Sequence, residues 1–383
     1  MTRKLRVLFS SRDPGGVGHI LILLQAFRKD GRFDVYLAAS GAALSMLRQT
    51  GELPRPFILA DGRDHLEVGE DPTPLTDAAR RLLDEVRPDA VFACLSSFGV
   101  GIDEALLAAC KVPSFAMQDF WGDVNLGLGV PARLYFVLDD YALKLTKERW
   151  GVEAVAVGSP KHARYNALDV AALRHTARKS LGVNGDDKVV GFFGQSPDIP
   201  GHESAYQDLV RAMGELVPRP LLLLREHPKF VVLGRDHISL ANRVGLKVAD
   251  VTNDRDLEAW LAACDVVTTP FSACGLDHAY LSAYSQKPIG SVLYLMTNDE
   301  IRAFSQDVSG MKQFPIVERG LGKVAGAPEE VSLWLRDALY GESVTAYFEA
   351  SKSLRTGEDP SRIIVETVGQ RLSIPTPVLG SAS

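Results

Sequence analysis

The sequence predicts an α/β fold in two halves, each a parallel sheet covered by helices, and three observations predict it. Short apolar runs rich in β-branched and aromatic residues alternate with amphipathic segments from Leu5 to Val157. The alternation breaks at Gly158-Ser159-Pro160-Lys161-His162 and restarts at Lys188. The chain has 383 residues, and one hydrophobic core seldom grows past about 250–300 residues. Apolar strands separated by helices imply parallel pairing, because each crossover lays a helix on a face of the sheet.

In the first half, Leu5–Ser10 reads as a strand and is followed by a glycine-rich turn over Asp13–His19. Ile20–Arg28 has helical periodicity, and Phe33–Ala39, Pro56–Leu59, Ala90–Leu95 and Ser114–Met117 read as strands. Leu75–Val86 and Asp103–Cys110 are amphipathic helices between them, and Leu134–Leu138 and Ala154–Val157 continue the strand pattern. The more polar Ala163–Gly182 is a helical connector. In the second half Lys188–Phe193, Pro220–Leu224, Leu246–Asp250, Asp265–Thr269 and Pro288–Leu293 read as strands. They alternate with helices at Ser204–Leu216, Ile238–Val244, Leu257–Ala263 and Gly275–Ser285. Leu333–Tyr340 and Ser361–Leu372 are closing helices, and Ser373–Ser383 is expected to fray.

Composition narrows the function classes. The formal charge is −6, from 42 basic and 48 acidic side chains. Nucleic acid or an anionic membrane as principal partner would call for a basic excess. Cys94, Cys110, Cys264 and Cys274 form no CxxC pair; buried free thiols and a reducing cytoplasm are the expectation. No stretch approaches the ~20 apolar residues of a membrane span, so no integral membrane segment is expected. His162, His175, His202 and His237 are scattered without i+3 or i+4 partners, so no metal site and no cofactor are expected. The chain contains no GxGxxG fingerprint, Walker lysine or GxSxG elbow.

Open parallel sheets bind ligands outside the carboxyl ends of their strands, which directs attention to the residues just after each strand. Behind the first strand, Asp13, Gly15, Gly16 and His19 form either an anion- or sugar-binding turn with a base, or a tight turn needing glycine. Behind the fifth, Gln118, Asp119, Trp121 and Asp123 combine amide, carboxylates and an aromatic ring in a way that suits a sugar or polyol. Alternatively, the rings there cap the core. Gln195 and Ser196 follow the first strand of the second half. Arg225, His227 and Lys229 crowd behind the run Pro220–Leu224, a forked donor and a point charge suited to a diphosphate. Ser272 and Gly275 precede a helix carrying Asp277, whose carboxylate either holds a ribose diol or favours the helix dipole.

Together these features resemble the glycosyltransferase-B superfamily, in the branch that includes UDP-N-acetylglucosamine 2-epimerases, CDP-glycerol glycerophosphotransferases and capsule-type transferases. The resemblance rests on Val157-Gly158-Ser159-Pro160, His227-Pro228-Lys229, the Asp265–Ala279 segment before Lys287-Pro288, and Gly357–Ile363. It implies two Rossmann-like domains facing a cleft, with the C-terminal helix packing back on the first. The implied boundaries are 1–162 for an acceptor domain, 163–355 for a nucleotide-sugar domain, 356–373 for the returning helix and 374–383 for a flexible tail. It implies a metal-independent glycosyltransferase using a nucleotide-diphosphate sugar, a UDP-sugar, and a small-molecule or glycan acceptor; it also admits a homodimer. His19 or Asp13 would deprotonate the acceptor. Gly15, Gly16, Gln195, Ser196, Arg225, His227, Lys229, Ser272, Gly275 and Asp277 would line the donor, and Gln118, Asp119, Trp121 and Asp123 the acceptor.

Two other activities share the fold. One is NDP-sugar 2-epimerisation, hydrolysing or not. The epimerase pattern has His-Arg-Arg where this chain reads Phe193-Gly194-Gln195-Ser196-Pro197, and an acidic loop where it reads Leu95-Ser96-Ser97-Phe98-Gly99. The other is non-catalytic nucleotide-sugar binding.

Overall fold

The computed structural model describes residues 3–96, 99–196, 199–227, 234–254, 256–309, 311 and 314–373. The chain forms two compact units, one of Met1–Ala163 with Thr356–Ser383, the other of Arg164–Arg355.

Unit 1 begins with β1 (Leu5–Ser11), α1 (Pro14–Asp30), β2 (Phe33–Ala39), α2 (Gly41–Gln49) and β3 (Arg55–Pro56). It continues through α3 (Thr73–Val86), β4 (Ala90–Cys94), α4 (Ile102–Ala109), β5 (Ser114–Met117) and β6 (Leu134–Val137). It ends with α5 (Asp140–Trp150), β7 (Ala154–Ala156) and α6 (Pro160–Ala163). The seven strands pair in parallel in the order β3-β2-β1-β4-β5-β6-β7. Strand order reverses between β1 and β4, the place where such sheets open for a ligand. Phe9, Phe92, Phe115 and Phe136 are buried on neighbouring strands, with Phe9–Phe92 centroids 5.0 Å and Phe92–Phe136 centroids 5.8 Å apart.

Unit 2 runs through α7 (Val170–Ser180), β8 (Val189–Phe193), α8 (His202–Gly214), β9 (Leu221–Arg225), α9 (Gly234–Arg243), β10 (Val248–Asp250) and α10 (Leu257–Ala263). Then follow β11 (Val266–Thr269), α11 (Cys274–Tyr284), β12 (Ser291–Leu295), α12 (Asp299–Ser309), α13 (Pro315–Glu318), β13 (Lys323–Ala325), α14 (Pro328–Tyr340) and α15 (Ser343–Ser351). Its six parallel strands are ordered β10-β9-β8-β11-β12-β13, reversing between β8 and β11. The last helix, α16 (Pro360–Ser373), belongs to unit 1. It packs on α1 and α6 and buries Ile364, Val365 and Val368.

The α/β class, the parallel sheets and the returning helix are as the sequence predicts. One expected boundary is corrected. The helix after β1 starts at Pro14, with Asp13 at its N-cap, not at Ile20. Proline suits the first helical position because it lacks only an N–H that would be orphaned anyway. Gly15, Gly16 and Gly18 are therefore helical residues, and the glycines answer to close packing rather than to a turn. The connector is a short 3-10 turn, Arg164–Ala167, followed by α7. On α7, Arg174 and Arg178 bind Asp265 and the carbonyls of Ala262, Ala263 and Cys264.

Candidate active site

At the carboxyl end of the unit 1 sheet, Asp119 follows β5 and lies against the first turn of α1. A Cβ placed on Gly15 would be 2.4 Å from Asp119 Oδ2, so glycine is what admits the carboxylate. The next residue, Gly16, lies on Cys94 at the end of β4, and Gly18, nearly one turn on from Gly15, lies under the aliphatic stem of Lys161 from α6. Asp119 is half-buried. Burial first, then the charges of Asp123 and Asp13, push its pKa from 3.8 up to about 7, while Lys161 pulls the other way. A carboxyl that titrates near neutrality can accept or donate a proton in turnover.

Beneath this group lies a polar layer that ties three strand ends together. Asp103, in the first turn of α4, accepts from Ser10 Oγ at 2.6 Å, Ser96 Oγ at 2.7 Å and the Cys94 N–H at 3.2 Å. Burial and the neighbouring charge of Glu104 push Asp103 up to about 7. Glu104 Oε2 accepts the Gly101 N–H at 2.9 Å, while Asn125 Nδ2 donates to Cys94 O at 2.9 Å and to Glu104 Oε1 at 3.2 Å. Arg12 is buried, its Nε 3.8 Å from Asp13 Oδ1, with its side chain pressed against Gly101.

The residues expected to hold an acceptor divide into two groups. Asp119 and Asp123 are accessible. Trp121 is fully buried and donates Nε1–H to Asp139 Oδ2 at 3.1 Å, so its ring is part of the core. Gln118 is buried as well, its Nε2 donating to Asp123 O at 2.7 Å and Thr146 Oγ1 at 2.9 Å. His19 is 1% exposed, in the second turn of α1, with its ring edge-on to His162 at 6.2 Å. His162 in turn shares a 2.6 Å hydrogen bond with Ser159. Asp13 is half-buried at the N-cap. Lys161 and Asp103 were not singled out from the sequence. The only signal for Lys161 was its place after Gly158-Ser159-Pro160, and Asp103 reads like any acidic first-turn residue.

In unit 2, Gln195, Ser196, His227 and Ser272 stand half-buried at the ends of β8, β9 and β11. Gln195 Oε1 accepts the Phe271 N–H at 2.6 Å, joining two of these turns. Ser272 Oγ accepts the Cys274 N–H at 3.3 Å at the start of α11. Three residues behave differently from expectation. Arg225 donates to the carbonyls of Val251 at 3.1 Å and Asp254 at 2.6 Å, holding the turn after β10. A Cβ on Gly275 would lie 2.0 Å from Tyr294 OH, so this glycine makes room for a buried tyrosine. Asp277 is 3% exposed, inside the unit near the phenols of Tyr165 and Tyr294. Lys229 lies outside the described residues.

Among the described residues no helix is long and apolar enough to cross a membrane, and no group of three or more His, Cys, Asp or Glu is placed to hold a metal ion. The cysteines are free; Cys94 and Cys264 are buried, Cys110 and Cys274 half-buried.

No protein-family model and no curated protein matches the sequence. Solved structures do match along nearly the whole chain. UDP-GlcNAc 2-epimerase from Neisseria meningitidis, bound to UDP-GlcNAc, superposes with a TM-score of 0.62 at 13% identity, over 96% of this chain and 100% of that one. The chain has the same fold. HepE of Anabaena, in complex with UDP and glucose, gives a TM-score of 0.57 at 17% identity over 96% and 99% of the two chains. A glycosyltransferase from Rickettsia africae gives 0.59 at 11% identity over 97% and 98%. The architecture is thus the glycosyltransferase-B fold, as the sequence resemblance implies.

Proposed function

We infer that the protein is a glycosyltransferase that moves a sugar from a UDP-sugar to an acceptor hydroxyl, with Asp119 as the base. The observation that carries this is a carboxyl titrating at about 7 beside the switch point of the unit 1 sheet, admitted there by Gly15. In this reading the acceptor O–H gives its proton to Asp119 as its oxygen bonds to the sugar's C1. The bond from C1 to the diphosphate oxygen breaks, and its electron pair leaves with UDP. Asp13 and Asp123 keep Asp119 basic, and Lys161 tunes it. Within unit 2, Gln195, Ser196, His227 and the Ser272 hydroxyl offer hydrogen-bond donors that suit a diphosphate. Binding of UDP and UDP-sugars by the structural neighbours supports the choice of donor.

Transfer of a proton at C2 of the sugar is the second reading, favoured by the full-length match to a UDP-GlcNAc 2-epimerase. Incubation with UDP-sugars in D₂O, with and without a panel of sugar and polyol acceptors, separates the two. Acceptor-dependent release of UDP with no deuterium at C2 is expected. Deuterium at C2 overturns transfer in favour of epimerisation. Binding without any turnover leaves a nucleotide-sugar-binding protein.

A further inference from the structure

The proposed chemistry leaves unused a charged cluster buried behind the strand ends of unit 2. His237, in the first half of α9, is 1% exposed and lies between two carboxylates. Its Nε2 is 2.7 Å from Oε2 of Glu203, a half-exposed residue at the start of α8, and its Nδ1 bonds Oε1 of Glu226, which is fully enclosed. Tyr206 stacks on the imidazole at 4.0 Å and donates its OH to the His237 carbonyl at 2.8 Å.

A neutral imidazole has one N–H and could donate to only one of these carboxylates. With both nitrogens facing carboxylate oxygens, the geometry calls for imidazolium. Burial works against that charge, but the hydrogen bonds and charges of Glu226 and Glu203 outweigh it, and the pKa rises above 6.5. His202, packed 6.1 Å away on α8, moves the opposite way: burial, then the charge of His237, hold it down at about 4, with His227 adding to the effect. Of the two adjacent imidazoles, His237 is therefore the one that holds its proton to higher pH.

The cluster touches the turns that carry the nucleotide-side residues. The other oxygen of Glu226 has no hydrogen-bond partner. It faces Gly194, where a Cβ would be 2.7 Å from that oxygen and 3.2 Å from the His227 nitrogen. The Gly194 N–H donates to Arg225 O at 2.8 Å, the Glu226 N–H to Thr252 Oγ1 at 3.0 Å, and the next residue, Gln195, ties β8 to the turn before α11.

We propose that His237 is a positioning residue: by bridging Glu203 at the start of α8 and Glu226 after β9, which lies against Gly194 after β8, it clamps these turns in the arrangement that receives a nucleotide diphosphate. The ligand rests on the nucleotide-sugar reading above; the clamp does not. The test follows UDP affinity by calorimetry from about pH 7 upward, where the diphosphate charge is constant, with His237 titration read by NMR in the same samples. The wild type is expected to lose about tenfold in affinity as His237 gives up its proton, the worth of one charge-assisted hydrogen bond. Glu203→Gln, at a half-exposed site, removes one support of the imidazolium and is expected to move the loss to lower pH. His237→Gln, which cannot titrate, is expected to bind weakly with a flat profile.

Wild-type affinity that ignores His237 titration, or an unchanged profile in His237→Gln, overturns the proposal. If UDP binds at no pH, the nucleotide reading fails and the clamp is judged by amide exchange. Protection of the Gly194 and Glu226 amides, corrected for intrinsic rates, should then fall about tenfold as His237 deprotonates in the wild type and stay constant in His237→Gln. Protection that does not follow His237 overturns the clamp as well.

Discussion

A side chain at position 15 would collide with Asp119 Oδ2, at 2.4 Å from an ideal Cβ, so at the scale of single residues the candidate base depends on a missing methyl group. Gly15→Ala should push the carboxylate out of place. A loss of about 10²-fold in kcat is expected, with under about 1 kcal/mol of stability, checked by steady-state rates beside thermal melts. Asp119→Asn removes the proton acceptor and should cost about 10²–10⁴-fold in kcat while leaving UDP affinity unchanged; equal kcat for the two proteins would remove Asp119 from the mechanism. The sign for Lys161 follows from its charge. It lowers the Asp119 pKa, so Lys161→Met should move the rising limb of the pH–rate profile to higher pH. A midpoint that stays put or falls would show that the ammonium does not act on Asp119.

Among the elements, α7 shows most plainly how charge fixes packing. Arg174 and Arg178, one turn apart, meet the carbonyls of Ala262, Ala263 and Cys264 at the end of α10, where the helix leaves acceptors without intrahelical partners. Asp265 completes the network, binding both guanidiniums and accepting the Val189 N–H at 2.8 Å at the start of β8. Asp265→Asn leaves two partly buried cations short of a counter-charge. The expected cost is roughly 3 kcal/mol, read as a lower denaturant midpoint for unit 2 with an unchanged slope. A cost near zero would mean that solvent satisfies the guanidiniums.

At the level of the whole molecule, the two units are expected to differ in what destabilises them. Asp103 titrates at about 7 when folded against an ordinary 3.8. Between those values the native state keeps a proton that the unfolded chain has lost. Its contribution is therefore full below about pH 4 and fades as pH rises through about 7. Asp119 in the same unit is shifted the same way, so unit 1 should melt higher at pH 5.5 than at pH 8 by several degrees, on the order of 2–4 kcal/mol, and Asp103→Asn should remove about half of the trend. The same unit also needs α16, although the whole of unit 2 lies between that helix and the strands it serves. Truncation after Arg355 removes the buried Ile364, Val365 and Val368, at about 1.5–3 kcal/mol each. Calorimetry of the truncated chain should show the unit 1 transition lost or strongly lowered and the unit 2 transition kept.

How far the sequence alone reaches depends on whether local pattern or spatial proximity decides. Runs such as Val189–Phe193 and Ser114–Met117, buried along their whole length, are legible because a strand covered on both faces must be apolar throughout. The strand-end turns are legible for the same reason, since polar residues cluster where those runs stop. Misreadings arise where a residue type serves two purposes. Glycines at 15, 16 and 18 read as a turn but are helical residues making room for Asp119, Cys94 and Lys161. Arg225 reads as a phosphate ligand but holds the carbonyls of Val251 and Asp254, and Trp121 reads as a sugar platform but lies in the core. The α/β class and the restart at Lys188 follow from the order of apolar and polar residues, which the chain carries wherever it goes. Which carboxylate is held near neutrality, and which histidine keeps its proton, depends on charges brought together from residues 13, 119, 123 and 161, and from 203, 226 and 237. Coulomb energy and desolvation act through distance in space, and only the folded chain sets those distances.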